Sequence, residues 1–246
     1  MFGRRKIAAL VAEFIGAGLL TVMILSVQHS GIGYPLFVAG ATGLAFILIS
    51  FAVGDASGGY FNPALTIGQW VVGKVSTVTA IAYVGVELLG GWGAYYVYTY
   101  LVNNHLGPIG GHFTARILAA EAVGAGIFAF VFAATVYKGL SRAVTASFAG
   151  LGLMIGSVAA SSGALGLLNP AVALGARAWV WGTYVLGPVL GAVVGTLLYR
   201  VVFVDSDDSG MLGGLSMASF TTTREVVTIE PSSKPKAARK STKKKK

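Results

Sequence analysis

The chain is predicted to be an all-α membrane protein, with six transmembrane helices and two re-entrant half-helices built as inverted three-helix repeats. Three observations predict this. The composition is 55% hydrophobic and 11% charged, with a mean hydropathy of +0.75, a balance that suits a polytopic membrane protein better than a soluble domain. The tripeptide Asn-Pro-Ala occurs twice, as Asn62-Pro63-Ala64 and Asn169-Pro170-Ala171. The apolar stretch after each motif runs for only about ten residues, against the roughly 20 needed to span a bilayer. Finally, the two halves of the chain echo one another in sequence.

Asn followed by Pro is a helix-start signal. The Asn oxygen caps free backbone N–H groups, and Pro at the first helical position gives up an N–H that had no partner anyway. Half-helices of this kind persist at membrane depth where they are buried in protein or line a watery cavity. Building one twice points to a pore.

Six spanning segments are expected at about Ile7–Val27, Pro35–Val53, Val78–Val102, Ala115–Val136, Ala143–Ala160 and Thr183–Val204. The first follows Arg4, Arg5 and Lys6 as a signal peptide would, but it is too long for a signal core and leads into further membrane segments, so it is read as retained. The 35 glycines suit helices whose backbones approach closely in lipid. An even number of crossings leaves both termini on one side. Arg4, Arg5, Lys6, Lys74, Lys138, Arg142, Arg200 and the tail fall together there, with Arg116 and Arg177 opposite. By the positive-inside rule both termini are cytoplasmic and the protein is a multi-pass component of the plasma (cytoplasmic) membrane.

The repeat is explicit. Ala12-Glu13-Phe14-Ile15-Gly16-Ala17-Gly18 recurs as Ala120-Glu121-Ala122-Val123-Gly124-Ala125-Gly126 at an offset of 108, and the Asn-Pro-Ala motifs lie 107 apart. Tyr83 with Gly90 is echoed by Tyr184 with Gly191. A channel domain is therefore assigned to residues 1–204, with repeat one at about 7–102 and repeat two at about 115–204. Three spans per repeat is an odd number, so the second copy enters from the opposite face and the half-helices meet near the midplane, N-terminus to N-terminus. With each Asn oxygen spent on capping, its NH₂ is expected to face the pore as a donor. Each half-helix adds roughly half a positive charge at that point, which disfavours cations.

These residues resemble the aquaporin and aquaglyceroporin (major intrinsic protein) channels over about residues 7–204. The paired Asn-Pro-Ala motifs, the repeated Ala-Glu-x-x-Gly and Ser57-Gly58-Gly59-Tyr60-Phe61-Asn62-Pro63-Ala64-Leu65-Thr66 carry the resemblance. It implies a right-handed bundle, passive transport and a homotetramer with one pore per subunit. It also implies selectivity set by pore diameter, lining hydrogen bonds and half-helix dipoles, the logic known from such pores.

One departure stands out. Such channels usually place an arginine directly after the second motif, and here the residue is Val172. By their spacing in the family, the other filter positions fall on Thr42, on Gly166, and on Ser157 or its neighbour Val158. A filter of Thr42, Ser157, Gly166 and Val172 has no aromatic and no charge, and is expected to be wide and permissive. Glycerol, urea or ammonia are then expected to pass along with water. Arg177 lies five residues beyond Val172, which on a helix turns it roughly 140° away.

Other residues are read more plainly. Glu13 and Glu121 are intramembrane acids, and their repeat-related placement assigns them to holding the signature loops rather than to a proton relay. Asp55 is expected to cap or to pair with Lys74, while Tyr60 stands where the family often has His. Glu87 stands where the family often has Gln, and its role is left open. His29, His105 and His112 are read as solvated loop residues. Trp92, Tyr95, Tyr96, Tyr98 and Tyr100 form an interfacial aromatic belt. With no cysteine in the chain, thiol chemistry and disulfides are excluded. No nucleophile–base or metal-ligand pattern appears, so an enzyme, a metal site and a cofactor are not expected.

From Asp205 the composition changes. Residues 205–246 hold nine of the eighteen basic residues and five of the nine acids, and read as a disordered polybasic cytoplasmic tail. Its Lys/Arg cluster suits anionic membrane lipid. Without aromatic interleaving it does not point to nucleic acid. The function read from sequence is a passive channel for water and small neutral solutes. The alternatives are a channel that also leaks ions, or a poorly conducting structural protein of the same fold.

Overall fold

The structure is a computed structural model that describes residues 3–31, 35–178 and 180–204. The tail and the lipid contact expected of it lie outside the described residues. The elements in order are α1 (Arg4–His29), α2 (Pro35–Ser57), α3 (Pro63–Val71), α4 (Thr77–Val102), α5 (Ala115–Tyr137), α6 (Arg142–Ala160), α7 (Pro170–Gly175), a π-helical turn (Trp181–Val185) and α8 (Leu186–Phe203). Six are long and two are short, and the long ones begin and end within four residues of the expected spans.

Capping explains several boundaries. Ser76 Oγ accepts from Thr79 N, and Thr114 Oγ1 accepts from Ile117 N at 3.1 Å. α4 ends on Asn103 in the left-handed region, φ 49°, a conformation Asn tolerates better than most residues. The last span opens with a π-turn that its sequence did not announce.

Five of the long helices, counting the π-turn with α8, are apolar and long enough to cross a bilayer. The sixth, α4, has 26 residues but carries Glu87, several tyrosines, four glycines and three threonines that dilute its hydropathy. Its acid does not face lipid, because Glu87 is fully buried.

The packing follows the repeat. α1 lies against α4 as α5 lies against α8, and α2 crosses α6 between them. The short helices are exchanged: α3 of the first half packs on α8 of the second, and α7 of the second half packs on α4 of the first. Neither half therefore closes without the other.

Glycine makes the central crossing possible. Gly43 on α2 and Gly150 on α6 are 107 residues apart and face each other. A Cβ on Gly43 would meet the Gly150 carbonyl and the Met154 side chain, and a Cβ on Gly150 would meet Ile47 and the Gly43 carbonyl. In lipid, where helices gain little from burying apolar surface against one another, such close backbone approach supplies the association energy. Gly150→Leu is expected to lower the unfolding midpoint in detergent by the equivalent of about 1–3 kcal/mol. Gly40→Ala, where a Cβ meets nothing, is expected to leave it unchanged. Fluorescence-detected thermal melting checks both.

Candidate functional site

The centre of the molecule is a reciprocal clasp. Asn62 Oδ1 accepts from Ala64 N at 2.9 Å, and Asn169 Oδ1 accepts from Ala171 N at 2.9 Å and Val172 N at 3.4 Å. Pro63 and Pro170 stand at the first helical positions. Each Asn then reaches across the repeat boundary. Asn62 Nδ2 donates to the Leu168 carbonyl at 2.9 Å, and Asn169 Nδ2 donates to the Phe61 carbonyl at 2.9 Å. This corrects the expectation of fully free amides. One N–H of each NH₂ binds the opposing loop, and one is left to donate elsewhere.

The backbone is bent to make this possible. Phe61 (φ 51°) and Leu168 (φ 55°), each immediately before its Asn, sit in the left-handed region, which costs a non-glycine residue roughly 1–2 kcal/mol. Both side chains are completely buried. The strain sits where two carbonyls are turned towards the opposite motif.

Three buried acids hold the bent loops. Glu13 accepts from Tyr60 N at 3.1 Å and from Phe61 N. Glu121 accepts from Gly166 N at 2.8 Å, Leu167 N at 3.1 Å and Leu168 N at 2.8 Å. Glu87, whose role the sequence left open, accepts from Asn62 N at 3.2 Å and from Thr66 Oγ1 at 2.7 Å. At the Tyr83/Tyr184 offset its counterpart in the second half is Pro188, and at the motif offset the counterpart of Thr66 is Ala173. The first loop thus has a second acid and hydroxyl that the second loop lacks.

All four expected filter positions are buried. Ser157 and Gly166 meet, with Ser157 Oγ donating to the Gly166 carbonyl at 2.6 Å. Of the two alternatives on α6, Ser157 faces inward while Val158 is exposed on the helix surface. Gly166 has φ +68°, and a Cβ there would press on Ser157. Thr42 donates its hydroxyl to the Val38 carbonyl of its own helix at 2.8 Å, which leaves its oxygen as an acceptor. Val172 lies in the first turn of α7 and is 2% exposed.

Other expectations need correction. α7 has six residues where about ten were expected, because Arg177 adopts φ 58° and breaks the helix. Fewer aligned peptides mean a smaller dipole at that motif. The same turn, rather than a helical rotation, directs Arg177 away. Its Nη1 donates to the Leu106 carbonyl at 3.0 Å and to Tyr95 Oη at 3.4 Å. With Trp92, Tyr96 and His105 it borders a pocket of about 700 Å³. Asp55 pairs with Arg142, which also donates to the Gly54 carbonyl. Lys74 instead lies 4.2 Å from the centre of the Tyr137 ring. His29 is the last residue of α1, with its ring edge against Tyr98.

On the side of the clasp where α1 begins and α8 ends, a second pocket of about 470 Å³ is bordered by Asp55, Gly58, Tyr60, Phe132, Thr135 and Arg142, among others. Among the described residues, no three His, Asp or Glu side chains group to hold a metal.

A family model described as major intrinsic protein matches residues 4–199. The chain belongs to the major intrinsic protein family. Among curated members of this family it is 28% identical to Aquaporin Z of Photorhabdus laumondii, over 82% of this chain and 98% of that one. It is 30% identical to Aquaporin AqpM of Methanothermobacter thermautotrophicus, over 77% and 95%. The aquaglyceroporin of Plasmodium falciparum shares the fold, with a TM-score of 0.71 at 18% identity over 81% of this chain and 97% of that one. Family members are channels rather than enzymes, and this chain is a membrane channel for water and small solutes.

Removing Glu121 would leave three buried N–H groups without a partner, each costing about 1–3 kcal/mol. Glu121→Ala is expected to abolish folded, monodisperse protein. Glu121→Gln, which keeps an oxygen acceptor, is expected to give folded protein with a lower melting point. Size-exclusion chromatography and thermal melting in detergent check this pair.

Proposed function

We propose that the chain is a permissive passive channel. Its path runs past Asn62 and Asn169, and its filter of Thr42, Ser157, Gly166 and Val172 admits glycerol, urea or ammonia together with water. The observation that carries this reading is the fate of positive charge near the second motif. Val172 is buried at the family's arginine position, and Arg177 is held elsewhere by Leu106 and Tyr95. Neither position 172 nor Arg177 therefore brings a guanidinium into this filter to narrow it or to compete for the solute's hydrogen bonds.

In this reading the Asn-Pro-Ala residues Asn62, Pro63, Ala64, Asn169, Pro170 and Ala171 form the polar waist, and each Asn offers its remaining N–H to a passing oxygen. Glu13 and Glu121 are structural acids that keep the loops bent. Cations are opposed by the two half-helix ends. Residues 1–204 form the channel domain and 205–246 the basic tail, which lies along anionic lipid. Both termini are cytoplasmic, the membrane is the plasma membrane, and the unit is a homotetramer with a pore in each subunit.

The experiment is stopped-flow light scattering on proteoliposomes under glycerol, urea and impermeant osmotic gradients, for the native chain and Val172→Arg. The native chain is expected to pass glycerol and urea. The arginine variant is expected to lose at least tenfold in solute flux while keeping water flow within a few fold. Water flow without solute flow in the native chain would overturn the permissive filter, and no flow of either would favour the structural-protein reading.

A further inference from the structure

A row of aromatic rings that the filter argument does not use runs from the clasp to the pocket beside Asp55 and Arg142. Phe61, whose carbonyl receives the Asn169 amide, has its ring 5.7 Å from that of Phe46 on α2. Phe46 lies 5.5 Å from Phe128 on α5, edge to face. Phe128 lies 6.4 Å from Phe132, one turn further along α5, and Phe132 lies 5.6 Å from Tyr60. Phe132 and Tyr60 border the 470 Å³ pocket. The rings thus run continuously from the asparagine clasp to open space, and Phe46, Phe61, Phe128 and Phe132 are all at most 2% exposed.

All five rings belong to the buried core. α2 packs on α1 and α6, and α5 packs on α6, α8 and α3. The two helices stand apart, and Phe46 and Phe128 meet in the interval between them. Glu13 and Glu87 pin the loop that carries Tyr60 and Phe61 on the side of α1 and α4, so on the proposed path a solute leaving the clasp towards the Asp55–Arg142 pocket would cross this interval. The Phe46 and Phe128 rings carry no hydrogen-bonding group and touch edge to face, so a solute crosses only as they swing apart. A wide polar filter therefore leads into a narrow apolar passage.

We propose that Phe46 and Phe128 form the size-limiting point of this channel and set the largest solute it passes, while the four-residue filter does not. The inference rests on the reading of the chain as a solute channel whose path crosses the clasp. At this aromatic point, solutes with the cross-section of urea or glycerol pass and five-carbon polyols are held back. The rings supply no donor or acceptor to replace lost hydration, so discrimination at this point is by cross-section and by the number of hydroxyls stripped of water.

The test is a permeability series of water, urea, glycerol and a five-carbon linear polyol in proteoliposomes of the full chain, with sucrose as a leak control. Phe128→Ala, and separately Phe46→Leu, are expected to raise five-carbon polyol permeability at least tenfold. Glycerol is expected to rise no more than about threefold, and sucrose to stay excluded. Phe128→Trp is expected to do the reverse, losing glycerol while retaining water. Phe130→Ala, an aromatic of the same helix that packs instead on Tyr199 and Phe203, is expected to leave the series unchanged.

An unchanged series in both Phe128 variants, with glycerol flux intact, would overturn the aromatic limit and leave the permissive filter standing. A native chain that passes only water, and passes glycerol once Phe128 is alanine, would uphold the aromatic limit and overturn the reading of the native chain as permissive. A five-carbon rise in Phe130→Ala, or sucrose entry in Phe128→Ala, would mean general loosening of the bundle and would also overturn the inference.

Discussion

The structure depends on the mutual grip of Asn62 and Asn169. Each caps its own half-helix through Oδ1 and ties down the opposing loop through Nδ2. The requirement behind it is general: backbone that is not helical at membrane depth has to find every hydrogen bond within the protein. Two short helices that meet end to end expose their first N–H groups and the carbonyls of the residues before them. A side chain with one acceptor and two donors meets both needs at once, and two copies related by the repeat satisfy each other.

The remaining irregular N–H groups explain the buried acids. Glu13, Glu87 and Glu121 each accept from two or three donors in the loops. An acid inside a membrane is ordinarily a sign of transport chemistry, but here the carboxylates replace the water that those amides would otherwise need. The two halves achieve this differently, since Glu87 and Thr66 have Pro188 and Ala173 as their counterparts. The second loop relies on Glu121 alone, and its half-helix is three residues shorter than the first. The exchange of α3 and α7 between halves makes the clasp a shared core.

On the proposed path, position then separates two kinds of selectivity. Thr42, Ser157, Gly166 and Val172 lie towards one side of the clasp and present small or hydroxyl-bearing groups. Ser157 Oγ is engaged by the Gly166 carbonyl and the Thr42 hydroxyl by Val38, so what this region offers a solute is chiefly acceptor oxygen and space. Towards the other side the rings of Phe46, Phe128 and Phe132 offer neither charge nor hydrogen bonds, and Tyr60 brings a phenolic hydroxyl at the pocket. The Asp55–Arg142 pair stands beyond them as a neutral couple at the pocket rim.

Much of this was legible in the residues themselves. Helix number, boundaries, the inverted repeat and both motif caps follow from hydropathy, a shared offset and the chemistry of Asn-Pro, all of which act within a few residues or repeat along the chain. What the sequence could not decide were pairings between residues far apart. Nothing local distinguishes Arg142 from Lys74 as the partner of Asp55, or directs Arg177 to Leu106. Nor does anything local show that Phe46 and Phe128, 82 positions apart, meet between two helices that do not pack together. The sequence by itself determined the elements, their caps and their symmetry, because those depend on short-range geometry. Only the tertiary structure decided which carbonyl each Asn amide reaches and which aromatic rings meet, because both depend on which distant segment comes within reach.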